Sequence, residues 1–174
     1  GMAEVIKAAA IRDRGLLDVL EEQMDDLLAL DPRKLLPVLE RACAIKADVV
    51  ARDERESGLR MILNFGHTLG HAVESLQRYR GALHGEAVAM GMVYAAQRSI
   101  DLGLAPPRTR PRLEAVIRRA GLPTELPGFS RKAYLAALQV DKKRRDQHIR
   151  YVALSRLGRA RVISLTPQEI FPGN

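Results

Sequence analysis

Residues 60–74 read Arg60-Met-Ile-Leu-Asn-Phe-Gly-His-Thr-Leu-Gly-His-Ala-Val-Glu74, and residues 83–86 read Leu83-His-Gly-Glu86. These two stretches hold three of the chain's four histidines. The pattern predicts a helix from about Phe65 to Leu76, which puts His67 and His71, four residues apart, on one face. After the turn Tyr79-Arg-Gly81, a second helix is predicted from His84 to Leu102, so His84 can reach the same small volume from the next segment. Ala87, Ala89, Gly91, Ala95 and Ala96 suit that helix to close packing, while Gly66, Gly70 and Gly85 permit close approach beside the histidines.

Outward from this centre the chain reads as helices joined by short turns. Residues 3–12 and 15–30 carry helical periodicity, the second with Leu16, Leu17, Leu20, Leu27 and Leu28 directed at a core. Asp31-Pro32 supplies a cap and a first-turn proline for a helix running to about Val50. In the helical pattern Leu39, Cys43, Lys46 of that helix, Cys43 reads as a small packing residue. The charged run from Arg52 to Gly58 reads as a solvated loop. Further helices are predicted over 111–120, stopped by Gly121 and Pro123, and over 130–140, capped by Ser130. Only at the end does the period change to that of strands: 149–154 and 159–165, split by Arg156-Leu-Gly158, predict a β-hairpin. The predicted fold class is therefore mainly α with one small hairpin near the C-terminus.

With 174 residues and 47% hydrophobic content, the chain can build a core of domain size. The net charge of +7 is spread along the sequence and favours anionic ligands. Aromatics make up 4% and Trp is absent, so the stacking platforms of single-strand nucleic-acid binders are missing. A single cysteine excludes an intrachain disulfide and fits a reducing cytoplasm. No stretch approaches the ~20 apolar residues of a membrane span. There is no Gly-rich phosphate loop, so a nucleotide would need a site brought by another domain. Helical periodicity sets in at Glu4-Val-Ile-Lys7 without a cap or leader, which suggests a piece of a longer protein.

Imidazoles and carboxylates at such spacing suit a catalytic zinc with three protein ligands and one open position. Read locally, the candidates are His67, His71, His84, Glu74 and Glu86, with Glu4 distant in sequence. The four-residue His67/His71 spacing is not a metalloprotease motif, because Thr68 stands where that motif needs its glutamate base. Around the histidines lie groups suited to an anionic substrate: Arg60, Asn64, Lys7, Lys46 and the pair Lys142-Lys143.

Taken together, Glu4-Val-Ile-Lys7, Asp53-Glu-Arg-Glu-Ser-Gly-Leu-Arg60, Leu63-Asn-Phe-Gly-His-Thr-Leu-Gly-His-Ala-Val-Glu74, Leu83-His-Gly-Glu-Ala-Val88 and Asp141-Lys-Lys143 resemble, in order, the C-terminal half of the 3-dehydroquinate synthases. The resemblance implies that Glu4, His67 and His84 bind the metal, zinc or cobalt, and that His71 faces substrate. Lys7, Lys46, Arg60, Asn64 and Lys142 would bind the substrate's carboxylate, hydroxyls and phosphate, with His71, Lys7, Arg60 and Asn64 as the catalytic set. It also implies a helical domain over 1–174 that works with an N-terminal, NAD-binding Rossmann-like domain not found in this sequence.

The implied reaction converts 3-deoxy-D-arabino-heptulosonate 7-phosphate to 3-dehydroquinate and phosphate, in the shikimate pathway. It runs through transient oxidation by NAD, elimination of phosphate, reduction and an aldol closure. The implied partners are the phosphorylated sugar acid and the missing domain, with room for a homodimer and with no nucleic acid or membrane. Ala8, Leu69 and Ala82 depart from the aromatic residues usual at those places in the family. Two other readings stand beside this one: another sugar-phosphate cyclase on the same scaffold, such as a 2-deoxy-scyllo-inosose or valiolone synthase, and a non-catalytic binding or regulatory module.

Overall fold

A computed structural model describes residues 1–53, 58–140 and 148–173. The elements are α1 (Met2–Arg12), α2 (Arg14–Leu28), α3 (Pro32–Arg52), a 3-10 helix (Leu59–Asn64), α4 (His67–Leu76), α5 (His84–Asp101), α6 (Thr109–Arg119), α7 (Arg131–Val140), β1 (Ile149–Arg156), β2 (Arg159–Leu165) and the single turn α8 (Pro167–Ile170). The expected mainly helical architecture with one C-terminal hairpin is what forms. β1 and β2 pair antiparallel from Ile149 opposite Leu165 to Arg156 opposite Arg159, with a register shift between Leu154 and Arg156.

The caps lie where the residue chemistry put them. Asp31 accepts from the Arg33 N–H at 3.0 Å ahead of Pro32, and Ser130 accepts from the Ala133 N–H at 3.2 Å. Gly103 and Gly121, at φ +68° and +72°, stand just beyond α5 and α6. Two short elements escaped the periodicity reading. The 3-10 helix is too short to show a period. α8 does carry a legible signal, the capping box Thr166-Pro-Gln-Glu169 with proline at the first helical position.

α5 lies at the centre, packed against α1, α4, α6 and β1. Its small residues Ala87, Ala89, Gly91, Ala95 and Ala96 are all buried, as the sequence predicts. Ser99 on the same helix ties the hairpin in: its hydroxyl donates to the Ala95 carbonyl at 2.6 Å and accepts from the Leu154 N–H at 2.9 Å, so both hydrogen-bonding roles of this buried hydroxyl are filled. α1 is buried on every side from Val5 to Ile11, the mark of a helix enclosed by others.

The outer helices correct three expectations. α2 buries Leu16, Leu17, Leu20, Met24 and Leu27, but Leu28 is 47% exposed. It lies ~100° round the helix from Leu27, past the edge of the apolar stripe. α3 buries only Val38 and Val49. Leu39 and Cys43 therefore face outward and Cys43 is no packing residue. Of the charged loop, residues 54–57 lie outside the described residues; Asp53 is not solvated but buried.

Candidate metal and substrate site

The site starts from a contact between two backbones. Gly66 has φ +82°, and a Cβ there would lie 2.7 Å from the Val88 carbonyl oxygen and 2.6 Å from Met92 Cγ. Only glycine supplies both the left-handed backbone and the space. This turn starts α4 at His67 and lays it along the first turns of α5, with Gly70 against Ala87 and Val88. Gly85 is less constrained, since its Cβ would meet only Ala3 at an ordinary 3.5 Å.

Three imidazoles converge as a result. Ring centroids lie 5.4 Å apart for His67 and His71, 5.3 Å for His67 and His84, and 6.1 Å for His71 and His84. Two of the three are oriented by acceptors. His67 Nδ1 is 3.3 Å from the Phe65 carbonyl oxygen, and His84 Nδ1 is 3.0 Å from Glu74 Oε1. A carbonyl and a carboxylate can only accept, so each Nδ1 carries a proton, and in its neutral form each ring has its lone pair on Nε2. His71 is exposed, and its ring makes no hydrogen bond among the described residues.

The acidic candidates separate by their partners. Glu86 accepts the Leu83 N–H at 2.8 Å and so closes the N-terminus of α5, a structural task. Glu74 is engaged with His84. Donor atoms of His71, Glu74 and His84 lie within 4.8 Å of one another, whereas Glu4, His67 and His84, the set the resemblance implies, do not form such a group among the described residues, so this trio is a rival place for an ion. Neutral imidazole nitrogen and carboxylate oxygen suit zinc or cobalt in both cases.

Glu4 and Lys7 reach the same region from α1. The Lys7 ammonium is 6% exposed and donates to Glu4 Oε1 at 2.7 Å. An ammonium carried by a wholly buried helix needs such a partner. Burial pushes the Lys7 pKa down, and the nearby Lys46 charge adds to this, while Glu4 opposes both. Burial works to raise the Glu4 carboxyl, yet the Lys7 bond and the charges of Lys7, His67 and Lys46 hold it below its usual value. Lys46 itself is exposed on α3.

Arg60 and Asn64 stand on the 3-10 helix, which packs against α1 and α3. Buried Asp53 anchors its start by accepting the backbone N–H groups of Gly58 at 2.8 Å and Arg60 at 2.9 Å. No sequence pattern singled out this role for Asp53. Asn64 is exposed, three residues before His67. Lys142, with Asp141 and Lys143, lies outside the described residues.

His67 has its pKa lowered to about 4, first by burial and then by the Lys7 charge, against the pull of the Phe65 carbonyl. It is therefore a neutral donor at neutral pH. Between pH ~6.5 and about 4 the unfolded chain binds a proton there that the folded chain refuses, so folding stability falls as pH drops through this window. Urea unfolding in chelator from pH 7 to 4.5 should show a larger loss for the parent than for His67→Asn; parallel curves would count against a neutral His67.

The family described as 3-dehydroquinate synthase C-terminal matches residues 1–144. The chain is 48% identical over 166 residues to a 3-dehydroquinate synthase of Citrifermentans bemidjiense, covering 95% of this chain and 46% of that protein. It is 49% identical over 172 residues to a Synechococcus 3-dehydroquinate synthase, covering 97% and 47%. The chain thus spans about half the length of the relatives it matches. Among solved structures it is similar to a 2-epi-5-epi-valiolone synthase from Streptomyces hygroscopicus with NAD+ and Zn2+ bound, at TM-score 0.85 and 29% identity, over 98% of this chain and 48% of that one. A 2-deoxy-scyllo-inosose synthase complexed with carbaglucose-6-phosphate, NAD+ and Co2+ shares the fold at TM-score 0.76 and 21% identity, over 100% and 52%. The order of the elements, the glycine-spaced histidines at the junction of α4 and α5, and a family match running from α1 past α7 all agree: this chain belongs to the 3-dehydroquinate synthase C-terminal family.

Proposed function

We propose that this chain is the metal- and substrate-binding half of a 3-dehydroquinate synthase, a cytoplasmic enzyme that converts 3-deoxy-D-arabino-heptulosonate 7-phosphate to 3-dehydroquinate and phosphate. The observation that carries the reading is the meeting of His67, His71 and His84 at one point, with Glu4 and Lys7 brought within electrostatic reach of His67 by α1. No helix of the described residues is long and apolar enough to cross a membrane.

In this reading Glu4, His67 and His84 hold a divalent zinc or cobalt ion, and NAD is held mainly by a separate N-terminal domain. When bound, the ion lowers the pKa of the substrate hydroxyls as a Lewis acid, and the nicotinamide accepts and returns hydride. The chain's own side chains bind and orient. Lys7, already partly desolvated, donates to a substrate oxygen once Glu4 turns to the ion. Lys46, Arg60 and Lys142 supply positive charge for the carboxylate and phosphate, and Asn64 supplies an uncharged hydrogen-bonding group at the rim. His71, with no competing hydrogen bond among the described residues, is free to orient the substrate or relay its proton. Once oxidation acidifies the adjacent C–H, its proton would pass to an oxygen of the closely held phosphate, the C–H electron pair would form the new C=C bond, and the phosphate would leave with the electron pair of the breaking C–O bond.

The chain alone should release no phosphate from the heptulosonate phosphate in the presence of NAD and zinc, because hydride transfer needs a bound nicotinamide. Adding the NAD-binding half of a family member should restore release. NAD-dependent turnover by this chain alone would refute the division of labour. A reconstituted enzyme that turns over only a different sugar phosphate would move the reading to another cyclase.

A further inference from the structure

The bond between Glu74 and His84 has no part in the ligand set proposed above, yet it lies beside it. Glu74 comes from the second half of α4, and its side chain is 12% exposed, whereas that of His84 is 54% exposed. The sheltered carboxylate thus holds the outer ring by its Nδ1–H at 3.0 Å. His67 is held in the same way by the Phe65 carbonyl, so the two rings proposed as ligands are the two with an acceptor on Nδ1. An acceptor at Nδ1 excludes the other tautomer, directs the Nε2 lone pair and makes the imidazole a better donor. Nothing else in α5 does this for His84, since Glu86 is taken up by the Leu83 N–H.

We infer that Glu74 is a positioning residue: it fixes the tautomer and orientation of His84 for metal binding and does not ligate the ion itself. The inference rests on the proposed metal role of His84. It also resolves the competing trio, because Glu74 and His84 are close for the sake of their mutual bond. Losing a carboxylate that orients a metal-binding histidine typically changes metal affinity 10- to 100-fold.

The test uses the chain as it stands, with zinc as the probe and a competing chelator to read affinity. Glu74→Ala should bind zinc roughly 10- to 100-fold more weakly than the parent, and Glu74→Gln, which keeps an acceptor oxygen, should recover part of that loss. In the metal-free protein, nitrogen-15 spectra of the histidine rings should show His84 protonated at Nδ1 in the parent and a mixture of tautomers in Glu74→Ala. A mere packing role would move neither the tautomer nor the partial rescue. If Glu74→Ala binds within twofold of the parent while His84→Ala loses the ion, the inference on Glu74 is wrong and the metal site stands. If Glu74→Ala loses as much as His84→Ala while its His84 ring keeps the Nδ1 tautomer and Glu74→Gln recovers nothing, Glu74 is a ligand and the inference is again wrong. If His84→Ala binds as tightly as the parent, the metal reading itself falls and takes this inference with it.

Discussion

His84→Ala is expected to bind zinc about 100-fold more weakly than the parent, and His67→Ala by a similar factor. Four-ligand structural sites hold zinc with apparent free energies of ~10–16 kcal/mol, so one ligand contributes roughly 3 kcal/mol, or about two decades in Kd. His71→Ala separates the two possible ion positions. If the ion lies among Glu4, His67 and His84, losing His71 should change zinc affinity by less than ~10-fold, the low end of an outer-shell effect. Chelator competition on the three variants, with circular dichroism to confirm that each stays folded, reads this directly. Equal losses for His71→Ala and His84→Ala, with none for His67→Ala, would place the ion in the trio of His71, Glu74 and His84.

Gly91→Ala should cost about 3 kcal/mol of folding stability, at the upper end of what overpacking usually does. The added methyl would lie 2.0 Å from the Gly66 carbonyl oxygen and 3.0 Å from the Gly70 nitrogen, all backbone atoms with little freedom to yield. The same carbonyl already accepts from the Gly70 N–H at 2.9 Å in the first turn of α4. In an open helix this substitution would instead stabilise by ~1 kcal/mol through helix propensity, so the sign of the effect is diagnostic. For a domain of this size about 3 kcal/mol corresponds to a fall in Tm of roughly 6–12 °C. Because Gly66 starts the turn into His67, zinc affinity should fall as well. A Gly91→Ala chain at least as stable as the parent would show that α4 and α5 are not in backbone contact.

How much of this was legible in the sequence depended on the range of the interaction involved. The capped helices were readable because Asp31-Pro32, Ser130 and Gly121 act within one turn of where they stand. The convergence of His67, His71 and His84 was readable for the same reason, a four-residue spacing on one helix and a short turn to the next. Separating Glu74 from Glu86 was not. Both lie near a histidine in sequence, and only the packing of α4 on α5 shows one carboxylate on His84 and the other on the Leu83 N–H. Lys7 reads as an anion-binding candidate like Lys46, and only the enclosure of α1 shows that it is buried. Leu28, Leu39 and Cys43 misled in the opposite direction, since apolar periodicity cannot say which side of a peripheral helix meets a neighbour. Family resemblance recruited Glu4, sixty-three residues from His67, by a route that no local pattern offers.

The metal centre is tested most directly by zinc-edge anomalous scattering from crystals of the zinc-loaded chain. The peak should lie ~2.0–2.2 Å from a Glu4 carboxylate oxygen and from Nε2 of His67 and His84, with His84 Nδ1 still on Glu74. A peak bonded to His71 and Glu74, with Glu4 left on Lys7, would contradict it.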